Sequence, residues 1–199
     1  MTQGVERASP ALELGRVRGD LELQQILDLQ RRNLVRNLDA PSVAAQGFVT
    51  VEHTLDVLRR MHDLEPSIVA RAGASLAGYA LVMPVACRPF VPALEPMFQR
   101  LEKLGRRFYV MGQICIDRPW RGRGVFDALY QAHRELLRDR YDLVVTEVSA
   151  RNPRSLRAHL RVGFQELERY RDATDEWILI GWDWSASVNR PGASGSPDG

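Results

Sequence analysis

The chain has 199 residues, of which 45% are hydrophobic, 26% charged and 8% aromatic, with a formal net charge of +2. That length suits one domain burying roughly 70% of the surface its unfolded chain would expose, and the apolar share excludes a disordered chain. No window approaches the roughly 18 unbroken apolar residues of a membrane span, and a net charge near zero argues against a uniformly basic nucleic-acid-binding surface.

The elements read in chain order. Residues 12–17 alternate apolar and polar side chains as a half-buried strand does. Leu21, Ile26, Leu27, Leu29 and Leu34 then fall near helical spacing, and a short helix fits residues 54–63 with Leu55, Leu58 and Met61 on one face. A hairpin follows, residues 67–71 and 76–83 around the turn Gly73-Ala74-Ser75. Residues 84–107 are a proline-punctuated insertion in which Leu94, Met97, Phe98, Leu101 and Leu104 share a helical face. Residues 108–116 are a nearly continuous apolar strand, ended by Asp117-Arg118-Pro119. The glycine turn Arg121-Gly122-Arg123-Gly124 comes next, then a helix with Val125, Phe126, Leu129, Tyr130, His133, Leu136 and Leu137 on one face. Residues 143–148 are the apolar run of a strand buried on both faces. Asn152-Pro153 opens another helix, with asparagine as cap and proline at the first position. Residues 164–171 and 177–184 close the chain as a hairpin.

Strands alternate with helices in the middle and pair as hairpins at the ends. The expectation is a single α/β domain over residues 11–184, a mixed sheet of about seven strands with helices on both faces. Residues 1–10 are expected to be loose, and the small polar tail 185–199 has nothing to bury and is expected to be disordered. The start of the chain mixes both signs of charge and lacks the apolar segment of a secretory signal. Cys87 and Cys115 make no disulfide framework and no zinc cluster, so the expected setting is the reducing cytoplasm and no metal is expected. Of the 27 basic residues only Lys103 is a lysine, and local arginine clusters suited to phosphate or carboxylate remain open.

The glycine turn carries the first chemical signal. Glycines between a buried strand and a helix start let backbone N–H groups converge on an anion at the positive end of the helix dipole. No Gly-Lys-Ser/Thr follows, so this is no Walker A loop, and Asp127 stands where a dinucleotide fingerprint needs its third glycine. A plain tight turn and a pyrophosphate cradle both fit; the strand before and the amphipathic helix after favour the cradle.

Residues 121–126 resemble the phosphate loop Arg/Gln-x-x-Gly-x-Gly/Ala of the GNAT superfamily of acyl-CoA-dependent N-acyltransferases, with Phe126 in place of the small residue. Downstream, Asn152, Ser155, His159, Gly163 and Phe164 match that family's Asn-x-x-Ala/Ser-x-x-x-Tyr-x-x-x-Gly-Phe spacing, with His159 in the tyrosine position. The resemblance implies a GNAT-like, mostly antiparallel sheet with a central splayed parallel pair. It also implies acetyl transfer from acetyl-CoA to an amine by direct attack in a ternary complex. Backbone N–H groups along Cys115, Ile116 and Asp117 would then meet the pantetheine and the thioester oxygen, which gains charge in the transition state. Those of Arg121, Gly122, Arg123, Gly124, Val125 and Phe126 would bind the pyrophosphate, with Asn152 and Ser155 beside the cofactor.

A protonated amine is no nucleophile, so a base is needed. Glu147, inside an otherwise apolar strand, is the candidate, because desolvation there raises a carboxyl toward neutrality. The alternative is a strand-end glutamate paired with an arginine. Asp117 is a second candidate, nearer the cofactor bend. His159 is the candidate acid for the leaving thiolate, or else a packed helix histidine. Arg154, Arg157 and Arg161 repeat at helical spacing, as a solvated face or as an approach to phosphates. His133 reads as a core histidine, while His53 and His62 flank a helix that walls the acceptor site in the resembling family. Trp177, Trp182 and Trp184 read as core or dimer contacts. The acceptor would be a small-molecule amine shaped by residues 40–61 and 84–107, with no nucleic acid or membrane partner and a homodimer open. Two rival classes share the fold: a non-catalytic acyl-CoA sensor, and an interaction protein without cofactor.

Overall fold

The structure is a computed structural model that describes residues 11–39, 41 and 48–185. The segments expected to be loose or disordered, residues 1–10 and the tail from 186, lie outside the described residues, as do 40 and 42–47 within the expected acceptor wall.

The strands are β1 Leu12–Arg16, β2 Ile68–Ala72, β3 Ser75–Met83, β4 Phe108–Ile116, β5 Leu143–Ser149, β6 Gln165–Arg171 and β7 Glu176–Asp183. The helices are α1 Asp20–Asn33, α2 Leu55–Leu64, α3 Glu95–Leu101, α4 Val125–Leu137 and α5 Pro153–Val162, with 3₁₀ turns between them. The seven strands form one sheet in the order β1-β2-β3-β4-β5-β7-β6. Every neighbouring pair is antiparallel except β4 with β5. The expected mixed sheet with a central parallel pair is what the chain adopts.

Local chemistry explains the boundaries. Thr54 caps α2 by accepting from the Val57 amide at 3.3 Å, and Asn152 caps α5 by accepting from the Ser155 amide at 3.1 Å. Pro153 occupies the first turn of α5, and Gly163, with φ of 127°, ends it. One face of the sheet packs Tyr79, Leu81, Val110 and Val145 against Ile26 and Leu29 of α1, Leu58 of α2 and Phe98 of α3. The other packs Ala80, Tyr109, Val144 and Ile180 against Leu129, Tyr130 and Leu137 of α4. The insertion at 84–107 earns its burial through Cys87, Val91, Met97, Phe98 and Leu101, so its prolines punctuate a packed wall. No described helix is long and apolar enough to cross a membrane.

One irregularity positions the site. Between Val82 and Ala80 on β3, the partner strand runs from Met111 to Ile114, three steps against two, which is a bulge in β4. Met83 fills the space beside Gly112, where an added Cβ would lie 2.2 Å from the methionine Cε. The parallel pairing reaches from Phe108↔Leu143 only to Val110↔Val145. Past the bulge β4 and β5 part, and the wedge between them opens toward the N-termini of α4 and α5.

Candidate active site

A groove of about 590 Å³ runs between the ends of β4 and the starts of α4 and α5. Gly122 and Gly124 form part of its wall, with φ of 73° and 76°, and a Cβ on either would meet no atom within 4 Å. Glycine is therefore required by the backbone, while the space beyond it is open. Gly124 caps α4, whose first intrahelical bond runs from the Ala128 amide to the Gly124 carbonyl at 3.0 Å. The amides of Val125, Phe126 and Asp127 thus precede the helix ladder, at its positive end.

Four arginines, Arg121, Arg154, Arg157 and Arg161, line the same groove. Arg121 donates through Nε to the Ile116 carbonyl at 3.0 Å and through its fork to Asn33 Oδ1, an anchor across to α1. Arg161 pairs with Asp127 at 2.9 Å, offsetting the one acidic side chain in the first turn of α4. Arg123 lies over the Trp120 ring, 5.4 Å from its centroid, and its side chain is not part of the groove wall. The three arginines of α5 are thus both solvated and aimed along the groove. Phe126 packs against Tyr130 and His159 at ring separations of 5.1 Å, yet is half-buried and borders the groove.

A second, narrow cavity of about 80 Å³ occupies the wedge between β4 and β5. It shares Phe48, Val49, Ile114, Asn152 and Ser155 with the groove. Residues 48–51 strap the junction: Asn152 Nδ2 donates to the Phe48 carbonyl at 3.3 Å, the Val35 amide to the Val49 carbonyl at 3.0 Å, and Gln113 Nε2 to the Val51 carbonyl at 2.8 Å. Gln113 is held in turn by Gln30 Nε2 at 2.8 Å and by the Tyr79 hydroxyl.

The backbone donors differ from expectation. The Asp117 amide is committed to the Ala77 carbonyl at 2.8 Å, and strand alternation turns the Cys115 amide toward β3 as well. The wedge-facing amides are those of Ile116 and Ile114. Asp117 caps the following 3₁₀ turn through the Arg118 amide at 2.9 Å and lies 3.6 Å from Arg32, away from the narrow cavity. The Cys115 thiol is buried and pushed up to about 12 by desolvation, so it is a poor nucleophile.

Glu147 lies on β5 and lines the slot. Burial pushes it up to about 7, against the opposing effect of a hydrogen bond from the Tyr170 hydroxyl. Tyr170 is steadied by the Arg100 guanidinium, 3.7 Å above its ring centroid. Arg100 itself pairs with Glu168 at 3.1 Å, and among the described residues no arginine forms an ion pair with Glu147. Trp177 lines the slot opposite Ser149, its indole donating to Asp172 Oδ2 at 3.0 Å.

His159 lines the slot next to the junction, 2% exposed, with its ring edge-on to Phe126, Tyr130 and Phe164. Its Nδ1 is 2.8 Å from the Ser155 carbonyl. A carbonyl only accepts, so Nδ1 carries the hydrogen and Nε2 the lone pair. Burial lowers the ring to about 4, which keeps it neutral at pH 7. In that state no hydrogen is free to give to a sulfur, so the expected acid is not supplied here. His133 is buried with Nδ1 2.7 Å from the Tyr109 hydroxyl, and His53 is buried and lines neither cavity. Among the described residues no cluster of His, Cys, Asp or Glu is arranged to hold a metal.

The comparisons with known proteins bear on this geometry. The sequence profile of the Acetyltransferase (GNAT) family matches residues 31–164. No curated protein matches the chain in sequence. Among solved structures, the chain is similar to the ribosomal-protein-S18-alanine N-acetyltransferase of Escherichia coli, at 12% identity and a TM-score of 0.63, over 94% of this chain and 99% of that one. It is similar to Ard1 of Thermoplasma volcanium, at 14% identity and 0.62, over 87% and 97%. A chain of the NatC complex bound to Gag peptide and CoA gives 14% and 0.59, over 86% and 98%. At such identities the likeness is one of fold.

Proposed function

Since the chain belongs to the GNAT acetyltransferase family, we propose that it transfers the acetyl group of acetyl-CoA to an amine by direct attack in a ternary complex. The observation that carries this reading is the junction itself. A cationic groove with an open glycine wall meets a narrow slot that ends on a half-buried carboxyl. The groove residues fit the cofactor. Its pyrophosphate would lie against Gly122, Gly124 and the first amides of α4, flanked by arginines, and its pantetheine arm along Ile116 and Ile114. The cofactor supplies an activated acyl group as a thioester.

Glu147 would take the proton from the bound amine, since a carboxyl held near 7 is ionised enough to accept it and basic enough to keep it. The Ile114 and Ile116 amides would face the carbonyl oxygen as charge develops on it. The slot lies between Met111 and Gly112 on one side and Glu147 on the other, so an amine entering it would meet the Glu147 carboxyl.

Free-thiol release from acetyl-CoA, measured against polyamines, amino acids, aminoglycosides and short peptides, tests the reading. At least one acceptor is expected to give thiol and acetylated amine in equal amounts. Binding without turnover across all acceptors would leave an acyl-CoA sensor, and no binding would leave an interaction protein.

Phe126 stands where the resembling loop has a small residue, which separates packing from obstruction. Because its ring is only half-buried, Phe126→Ala is expected to cost about 2 kcal/mol of stability, below the roughly 3–5 kcal/mol of a fully buried aromatic. Acetyl-CoA affinity is expected to stay within about threefold, because only the backbone amide faces phosphate. Markedly tighter binding by titration calorimetry would show instead that the ring blocks the groove.

A further inference from the structure

We propose that the Ser155 hydroxyl, at the point where groove and slot meet, donates the hydrogen bond that receives the departing thiolate. This rests on the acetyl-transfer reading and adds a residue to it. Five residues line both cavities, and only two of them, Asn152 and Ser155, have polar side chains. Asn152 is held in place: its oxygen caps α5 on the Ser155 amide and one of its two amide hydrogens holds Phe48 in the strap, which fixes its side chain away from a hydroxyl-like role.

The hydrogen of the Ser155 hydroxyl is uncommitted, and the tautomer of His159 shows why. His159 Nδ1 donates to the Ser155 carbonyl at 2.8 Å, so its 3.4 Å approach to Ser155 Oγ is a second, weak branch that Oγ can only accept. The histidine in effect fills the acceptor side of the hydroxyl and leaves its O–H to point into the junction. His159 also lines the slot, with its ring among Phe126, Tyr130 and Phe164, but its one hydrogen is held by the Ser155 carbonyl.

The step balances without full proton transfer from serine. Glu147 first takes the ammonium proton; the freed lone pair then forms the C–N bond, the C–S bond breaks with its pair going to sulfur, and the second N–H proton leaves to water. The thiolate leaves hydrogen-bonded to Ser155 and takes its proton from water. An alkyl thiol titrates near 8.5, judging by cysteine, so the leaving group needs stabilisation more than it needs a strong acid.

Ultraviolet titration of the CoA thiol bound to the protein tests this without turnover. With wild-type protein the bound thiol is expected to titrate below the free thiol. Ser155→Ala is expected to raise that value by about one unit, a tenfold loss of thiolate preference, while desulfo-CoA binds both proteins equally. Ser155→Thr is expected to keep the wild-type value, and His159→Phe to change it little. Turnover of Ser155→Ala is expected to fall about tenfold where chemistry limits the rate. An unchanged thiol titration in Ser155→Ala, with CoA bound at wild-type affinity, would overturn the assignment. So would a shift produced by His159→Phe alone. Failure of wild-type protein to bind CoA at all would instead remove the acetyl-transfer reading beneath it.

Discussion

Gly124→Asp is expected to abolish the melting shift that acetyl-CoA gives the wild-type protein. A ligand at 100 times its dissociation constant adds about 2.7 kcal/mol to stability, which for a chain of this size is a rise of about 5 °C or more. Gly124 has a φ of 76°, and a Cβ there meets nothing within 4 Å. The substitution therefore costs some left-handed strain, about 1 kcal/mol, but creates no clash. What it adds is a carboxylate where the pyrophosphate must lie, at the mouth of α4. Gly124→Ala carries the same backbone strain without the charge, so it should melt lower than wild type and still respond to ligand. An undiminished shift in Gly124→Asp would remove the phosphate cradle from this loop.

Glu147→Gln is expected to lower turnover at neutral pH by about 10²-fold or more, since it keeps the shape and removes the base. Wild-type activity should rise with pH through about 7, where the carboxyl ionises. That limb should vanish in the variant, whose rate should recover only as the amine loses its own proton. The same shift has a signature in stability. A carboxyl at about 7 when folded and near 4.5 when unfolded binds more protons in the native state between those values. Stability is then highest below the unfolded value and falls as pH rises through the window, by up to roughly 3 kcal/mol. Glu147→Gln should lack that fall. A variant with full turnover at pH 7 would move the proton to ordered water.

The sheet, its helices and the glycine loop were legible because each has a local signature. Apolar runs at 108–116 and 143–148, the Asn152-Pro153 cap and the paired glycines at 122 and 124 need no knowledge of the far chain. What escaped depends on register or on tertiary hydrogen bonding. Tyr170 reaches Glu147 because β7 lies between β6 and β5, pairing Trp177 with both Tyr170 and Ser149. Trp177 packs against the core, as its sequence context suggested, and also lines the slot. That Ile114 joins the expected Ile116 as a wedge-facing amide, in place of Cys115 and Asp117, follows from which way β4 pairs with β3 past the bulge. Gln113 escaped because its partners, Gln30 and Tyr79, come from α1 and β3. His159 fell in the right place on its helix, but its tautomer is set by the Ser155 carbonyl and its neutrality by burial. Neither is written in the spacing.

Direct attack in a ternary complex is tested by a rapid-quench experiment with acetyl-labelled CoA and the best acceptor. The Cys115 thiol borders the groove but is held near 12, so it offers almost no thiolate to take the acyl group at pH 7. Label is expected to pass to the amine at the rate of thiol release, with none bound covalently to protein at any time point. Label trapped on the protein before it reaches the amine would contradict direct transfer and point to Cys115 as its carrier.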